Sequence, residues 1–288
     1  MIKVHKPSIV RKIWGGKKLQ NWKHLSTKES GAESMVPVGE TLEIFEESLP
    51  YLAKLIDTSD ELSIQVHPGD EYARLHENSS GKTECWIILE SDPGAGIFLG
   101  LKEGIERKTL EQALKEKRPV NELLNFYEVK PGDFFFVPAG SIHAIGKNIT
   151  LAEVQQNSGI TYRVWDWNRV DEKGQPRDLH VEKSLDVINF APEKNRLDFF
   201  QHKKNLFHRH GRSDICSHRD FELSLLNQNS NEKYFSSIAL KRPCSILNLN
   251  GKIAVNGIPV SPYEAVTIEN ESSLAVEALE EGSCLLIF

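Results

Sequence analysis

The amino-acid sequence predicts a mainly β protein, built as two β-barrel or jelly-roll units with a few short helices. Three observations carry this expectation. Short β-branched and aromatic runs recur between Ser-Leu-Pro, Pro-Gly-Asp, Ser-Ser-Gly-Lys and Asp-Pro-Gly punctuation. Stretches with helical periodicity are few and brief. A segment near the C-terminus also repeats, in degraded form, a strand-turn-strand pattern of the first half. Many short strands closed by such turns suit a barrel or jelly roll.

From about residue 40 to residue 100, TLEIFEE, LAKLIDT, ELSIQVHP, TECWIILES and AGIFLG read as successive strands. Two helices interrupt the β pattern. Pro68-Gly69-Asp70 opens one over EYARLHE, and Lys108-Thr109 opens the other over TLEQALKEK, where Leu110 and Leu114 share a face and Pro119 lies just beyond. NFYEVKPGDFFFVPAGSIHAIGKNITLAEVQQN then supplies a strand, a Pro-Gly turn, an aromatic strand, a bend ending on His143, and a strand carrying Glu153 and Gln155. The Asn-Ser-Gly that follows predicts a turn folding Arg163 back beside Glu153. A third helix is expected in DLHVEKSLDVINF, packed on the β core.

The stretch 191–220 is rich in Lys, Asn, His and Arg and reads as a linker or domain edge. The expected organisation is therefore a functional unit over 1–190, that edge, and a second β unit over 221–288. Laying VKPGDFFFVPAGSIH (129–143) over VSPYEAVTIENESSL (260–274) matches valine to valine and proline to proline. It also puts Leu274 at the place of His143, Tyr263 at that of Gly132 and Glu269 at that of Pro138. The second unit retains the strand pattern and loses the polar equipment, so the active site is expected in the first.

Composition narrows the function classes. With 288 residues, 39% hydrophobic and 26% charged, the chain can bury proper cores. A formal charge of −6 and a pI near 6.0 disfavour nucleic acid as a partner, while still permitting a local basic pocket for a small anion. MIKVHKPSIVRKIWGG has no signal-like apolar core, and no apolar run is long enough to cross a bilayer. Cys85, Cys216, Cys244 and Cys284 are widely spaced and suit reduced, buried thiols. The expectation is a cytoplasmic protein with no membrane, nucleic-acid or obligate protein partner.

In LSIQVHPGDE, strand alternation sends Ser63, Gln65 and His67 to one face and Leu62, Ile64 and Val66 to the other. Gln65 and His67, with Glu84 in GKTECW and His143 in VPAGSIHAIG, form a candidate metal-ligand set for a zinc-like ion, with room left for a substrate oxygen. Each alone is equally a hydrogen-bonded polar residue near the core. Their arrival on β elements of one unit makes them a set. Lys82 lies two residues before Glu84 and is expected to share its cavity, which suggests an anionic substrate that Ser63 also contacts. Glu153 and Arg163 offer a proton acceptor and a fixed positive charge, which suits enolate or enediolate chemistry. The tract QHKKNLFHRHGRSDICSH holds His202, His208, His210 and His218, but its basic neighbours disfavour a cation, so it reads as compositional bias.

These segments resemble those of a known family. LSIQVHPGDEYA, GKTECWIIL, VPAGSIHAIG and NSGITYRVWDWNR are similar, in that order, to the signature segments of type I mannose-6-phosphate isomerases, the zinc-dependent cupin phosphomannose isomerases. RKIWGGKKL with PVGETLEI, and DLHVEKSLDVINF, resemble that family's N-terminal segments and its helix after the arginine. The similarity covers about residues 7 to 190 and is to the short bacterial branch. It implies two cupin-like units and one Zn2+ per chain on Gln65, His67, Glu84 and His143. It further implies catalytic roles for Arg163 and Glu153, and substrate phosphate on Ser63 and Lys82. The implied reaction interconverts mannose 6-phosphate and fructose 6-phosphate through a cis-enediol. VWDWNR stands where longer members have Thr-Pro-Lys, so phosphate contacts made there differ. A cupin oxidoreductase or dioxygenase, using redox iron, and a non-catalytic sugar-binding cupin are the rival readings.

Overall fold

Strand-forming runs dominate the structure, a computed structural model that describes residues 1–24, 36–170, 174–237 and 243–288. The first half contains β1 (Ile2–Val4), β2 (Ser8–Gly16), β3 (Val38–Ile44), β4 (Tyr51–Asp57), β5 (Ile64–Val66), β6 (Glu84–Ser91), β7 (Gly96–Leu101), β8 (Leu124–Glu128), β9 (Phe134–Val137), β10 (His143–Ile145), β11 (Ile149–Gln156) and β12 (Tyr162–Trp165). Helices α1 (Lys18–Trp22), α2 (Asp70–Glu77), α3 (Arg107–Lys115) and α4 (Val181–Val187) interrupt or follow them. The second half adds β13 (Gly211–Ser217), β14 (Glu222–Gln228), β15 (Lys233–Ser237), β16 (Cys244–Asn250), β17 (Ile253–Val255), β18 (Ile258–Val260), β19 (Ala265–Ile268), β20 (Ser273–Ala278) and β21 (Gly282–Ile287).

The first unit pairs a six-stranded sheet, β2-β3-β4-β11-β6-β9, with a five-stranded one, β12-β5-β10-β7-β8. The second pairs β1-β19-β16-β21-β14-β13 with β15-β20-β17-β18. Each unit is thus an open sandwich of two sheets, where the sequence suggested a barrel or jelly roll. The fold is mainly β and of the expected two-unit kind.

Strand β6 explains how the layers stack. Its ECWIIL run is nearly continuous in apolar character because both of its faces are covered. Trp86 and Ile88 point inward and share a core with Ile97, Leu99 and Ile145 of the five-stranded sheet. Cys85 and Ile87 point the other way, into a core with Leu223, Leu225, Leu247, Leu285 and Ile287 of the second unit. The two six-stranded sheets therefore pack back to back.

The repeat extends much further than the sequence shows. β4-β11-β6-β9 corresponds to β14-β21-β16-β19, and β5-β10-β7-β8 to β15-β20-β17-β18, in the same chain order. Tyr263 keeps the left-handed turn of Gly132, with φ of 65° against 85°. That conformation costs a non-glycine residue on the order of 1 kcal/mol. Its ring stacks on Trp22 at 4.1 Å between centroids, a contact across the two units that contributes about 0.5–1.5 kcal/mol.

Three placements differ from expectation. β1, from the N-terminus, pairs with β19 of the second unit. The stretch 191–220 holds β13, a strand of the second unit's large sheet. The Asn-Ser-Gly turn after β11 makes no hairpin, since β11 lies in the six-stranded sheet and β12 in the five-stranded one. Asn157 is diverted there by its own bonds: its backbone N–H donates to Pro50 O at 2.9 Å and its side chain to Glu46 O and Leu49 O at 2.8 and 2.9 Å. Among the described residues no helix is long and apolar enough to cross a membrane.

Candidate metal centre and active site

Register assembles the site. Gln65 of β5 stands directly opposite His143 of β10 on one side and Arg163 of β12 on the other, so all three side chains leave the same face of the five-stranded sheet. His67 follows β5 immediately. Glu84 comes from the facing sheet, as the first residue of β6. Donor atoms of His67, Glu84 and His143 lie within 4.8 Å of one another, on side chains at most 2% exposed. His67 Nε2 is 3.3 Å from Glu84 Oε2, and His143 Nε2 is 3.2 Å from Glu84 Oε1.

The hydrogen bonds around these rings set their tautomers. A carbonyl oxygen only accepts, so His67 Nδ1–H donates to Ile160 O and His143 Nδ1–H to Ser141 O, each at 2.9 Å. Both Nε2 lone pairs then face the Glu84 carboxylate. His67 Nε2 and Glu84 Oε2 are buried; Oε2 has the Lys82 ammonium beside it at 3.2 Å, but the His67 Nε2 lone pair meets no donor, an arrangement that is costly unless a cation lies between the imidazole and the carboxylate. Burial, then Lys82, push the His67 pKa down to about 3, and burial also lowers that of His143. Burial alone would raise Glu84, but Lys82, His67 and His143 outweigh it and hold the carboxyl well below its usual range. Gln65 lies 3.3 Å from His143 Nε2 through its amide nitrogen. The flipped amide, equally consistent with the heavy-atom positions, offers its oxygen there. Two neutral imidazoles, a carboxylate and an amide oxygen fit a divalent cation.

One row deeper, the same wall carries a second polar group. Lys54 of β4, Glu153 of β11 and Trp86 of β6 stand in register across three strands. Lys54 Nζ is 3.0 Å from Glu153 Oε1 and 3.5 Å from Glu40, and Trp86 Nε1–H donates to Glu153 Oε2 at 3.1 Å. The Trp86 ring meets His143 edge-on at 5.3 Å, linking this row to the His67–Glu84–His143 cluster. Burial, then the nearby Glu84, raise the Glu153 pKa, while Lys54 opposes them. Lys54 itself is driven up: burial lowers it, but Glu153, Glu40 and Glu84 overcome that. Sequence reasoning missed Lys54, Trp86 and Glu40. The signal was present in YLAKLID, whose lysine interrupts an apolar strand, and in ECW, whose tryptophan shares the face of Glu84.

The remaining expected site residues are placed as follows. Lys82 Nζ lies 3.2 Å from Glu84 Oε2, as its spacing predicts. Ser63 is buried two residues before Gln65. Arg163 shares the Gln65 face, and its Nη1 donates to Asp178 O at 2.7 Å. In the divergent VWDWNR segment, Asp166 ties Arg169 at 2.6 Å and Arg177 at 2.5 Å, and Trp167 Nε1 donates to Leu62 O at 2.7 Å. That segment buttresses the strand carrying Arg163. The histidines of the tract 201–218 are dispersed: His202 stacks on Phe135, His210 faces Glu232, and His218 lies near Asp220. Among the described residues only His67, Glu84 and His143 group so that they could hold a metal ion.

Known proteins share both the sequence segments and the fold. Residues 6–88 match the phosphomannose isomerase type I catalytic domain. A mannose-6-phosphate isomerase of Bacillus subtilis is 46% identical over 149 residues, 51% of this chain and 47% of that protein. One of Streptococcus mutans is 38% identical over 213 residues, 64% of this chain and 67% of that protein. The matched stretch thus spans about half the length of the first relative and two thirds of the second. The crystal structure of the mannose 6-phosphate isomerase from Bacillus subtilis superposes with a TM-score of 0.80 at 23% identity, covering 99% of this chain and 98% of that one. With the signature segments converging on one buried donor cluster in this fold, the chain belongs to the type I phosphomannose isomerase family.

Proposed function

We propose that the chain is a zinc-dependent isomerase interconverting mannose 6-phosphate and fructose 6-phosphate. The observation that carries this is the pairing, on one buried wall, of a cation-ready cluster at Glu84 with a buried carboxylate of raised pKa at Glu153 one row away. Aldose–ketose exchange needs both, since a proton leaves C2 of the open-chain sugar and returns to C1 while its oxygens bear the developing charge. Gln65, His67, Glu84 and His143 would hold the zinc, which supplies Lewis-acid polarisation when bound.

The chain's own residues perform the rest. Glu153 carries the proton, with its raised pKa keeping it able to take and return one. Lys54 and Trp86 fix the two Glu153 oxygens, so the carboxylate keeps one orientation through the transfer. Arg163 neutralises charge on the enediolate. Lys82 and Ser63 hold the phosphate and so align the sugar. A reducing, cytoplasmic setting accords with four unpaired, buried thiols.

The test is a coupled assay with mannose 6-phosphate on the protein as purified, after chelation, and after zinc is restored. Turnover that vanishes and returns with zinc is expected. Metal-loaded protein without exchange, or with substrate-dependent oxygen consumption, would overturn the reading.

A further inference from the structure

The β13–β14 turn of the second unit reaches the rim of the first unit's site. There Asp220 Oδ2 accepts a hydrogen bond from Gln156 Nε2 at 2.7 Å. Gln156 is buried, and it holds both backbone groups of Thr83: its Oε1 accepts from Thr83 N–H at 2.8 Å, and its own N–H donates to Thr83 O at 3.0 Å. Thr83 sits between Lys82 and Glu84 in the sequence. Its hydroxyl accepts from Ala139 N–H at 3.2 Å, in the bend that leads to His143. Asp70 completes the network, taking Gln156 Nε2 at 3.2 Å and Gly81 N–H at 2.9 Å on one oxygen. Arg219 bridges the two carboxylates, at 2.5 Å from Asp70 and 3.3 Å from Asp220.

We propose that Asp220, Gln156 and Thr83 form a positioning relay through which the second unit holds Lys82 and Glu84 in place. Gln156 is then a positioning residue, acting through Thr83 on the groups that meet phosphate and metal, and the inference rests on those two assignments. The chemistry suits the task. A glutamine amide offers two donors and one acceptor at a fixed spacing, so it can grip two carboxylates and a backbone N–H at once. Both side-chain bonds to carboxylates are charge-assisted. A partner hydrogen-bonded directly to a metal ligand is worth about 10–100-fold in metal affinity or activity, and because the relay acts on Glu84 through the neighbouring Thr83, the lower end of that range is expected.

The experiment compares Asp220→Ala, Asp220→Asn and Gln156→Met with wild type. Zinc affinity is read by chelator competition, KM for mannose 6-phosphate by the coupled assay, and Tm on the metal-free proteins. Asp220→Ala is expected to weaken zinc binding about tenfold or more and to raise KM, with little change in metal-free Tm. Asp220→Asn, whose amide oxygen still accepts from Gln156, recovers most of both. Gln156→Met moves both constants further in the same direction. Zinc affinity and KM of Asp220→Ala within about twofold of wild type would overturn the relay, as would equal losses in the alanine and asparagine variants. Should Gln156→Met fail to fold, the Asp220 pair decides alone. A wild type inactive on mannose 6-phosphate would remove the proposed function, and the zinc titration would still decide the relay.

Discussion

At His67, burial and the neighbouring Lys82 hold the imidazole neutral down to about pH 3, whereas an exposed histidine takes its proton near 6.5. A depressed folded-state pKa means that the unfolded chain binds the extra proton first. The associated stability is therefore complete above about pH 6.5 and is lost as pH falls toward the folded value. Between pH 7.5 and 5 this one residue accounts for about 2 kcal/mol in the metal-free protein. Urea titrations at the two pH values measure it, and His67→Gln, which cannot charge, removes roughly that part of the difference. The role proposed for Arg163 is of another kind, on the transition state. Opposite Gln65 and anchored on Asp178 O, it would, in the proposed reaction, meet charge that develops only as the enediolate forms. Arg163→Ala is expected to retain zinc and approximate substrate affinity while lowering turnover about a hundredfold or more. Zinc content and kcat measured together check this, and wild-type turnover would remove the arginine from the reaction.

Among the elements, the start of α1 shows how backbone contact orients a short helix that five residues could not sustain alone. Asp57, at the end of β4, accepts Lys18 N–H at 2.7 Å and the hydroxyl of Thr150 at 3.3 Å. Gly16 lets it do so, because a Cβ there would lie 2.2 Å from Asp57 Oδ2. Gly16→Ala is expected to cost about 1–3 kcal/mol and to lower Tm by several degrees. Gly69→Ala is the contrast: nothing lies within 4 Å of the added carbon, and Tm is expected to stay close to wild type. Calorimetry on both separates close approach from a general glycine effect. The elements also show where pattern reading stops. ELSIQVHP reads as one strand, yet only Ile64–Val66 pairs, because Pro68-Gly69 ends the ladder just beyond His67. The turn after β11 carries hairpin residues, yet the side-chain and backbone bonds of Asn157 send the chain to the opposite sheet.

Across the molecule, the duplicated sandwich separates scaffold from chemistry. Strand register puts Leu274 opposite Ser236 as His143 is opposite Gln65, and Cys244 opposite Ile268 as Glu84 is opposite Val137. Leu286 occupies the place of Glu153, and Ser224 that of Lys54. Leu226, Ile246, Val255, Leu274 and Leu286 close this interior into an apolar core. Leu274→His should therefore bind no metal and add no activity, and it should lower stability, since an imidazole there is buried with no ligand partner. Metal content and Tm test this together. A second equivalent of zinc would show that the copy keeps a usable donor set.

The sequence alone determined the mainly β class and the two-unit repeat, and it singled out the four positions proposed to hold a metal, because strand alternation and turn residues are local properties written within a few residues of each side chain. The family resemblance added what each position is expected to do. Only the tertiary structure decided which sheet each strand joins, and with it that Glu153 and Arg163 approach from opposite walls. It also brought Lys54 and Trp86 onto Glu153, and Asp220 onto Gln156. Those contacts join residues 99 and 67 positions apart, and 64 in the last case, so no short window of the sequence contains them. The physical reason is that register between distant strands is set by the burial of whole faces, a sum over the sheet that no single segment carries.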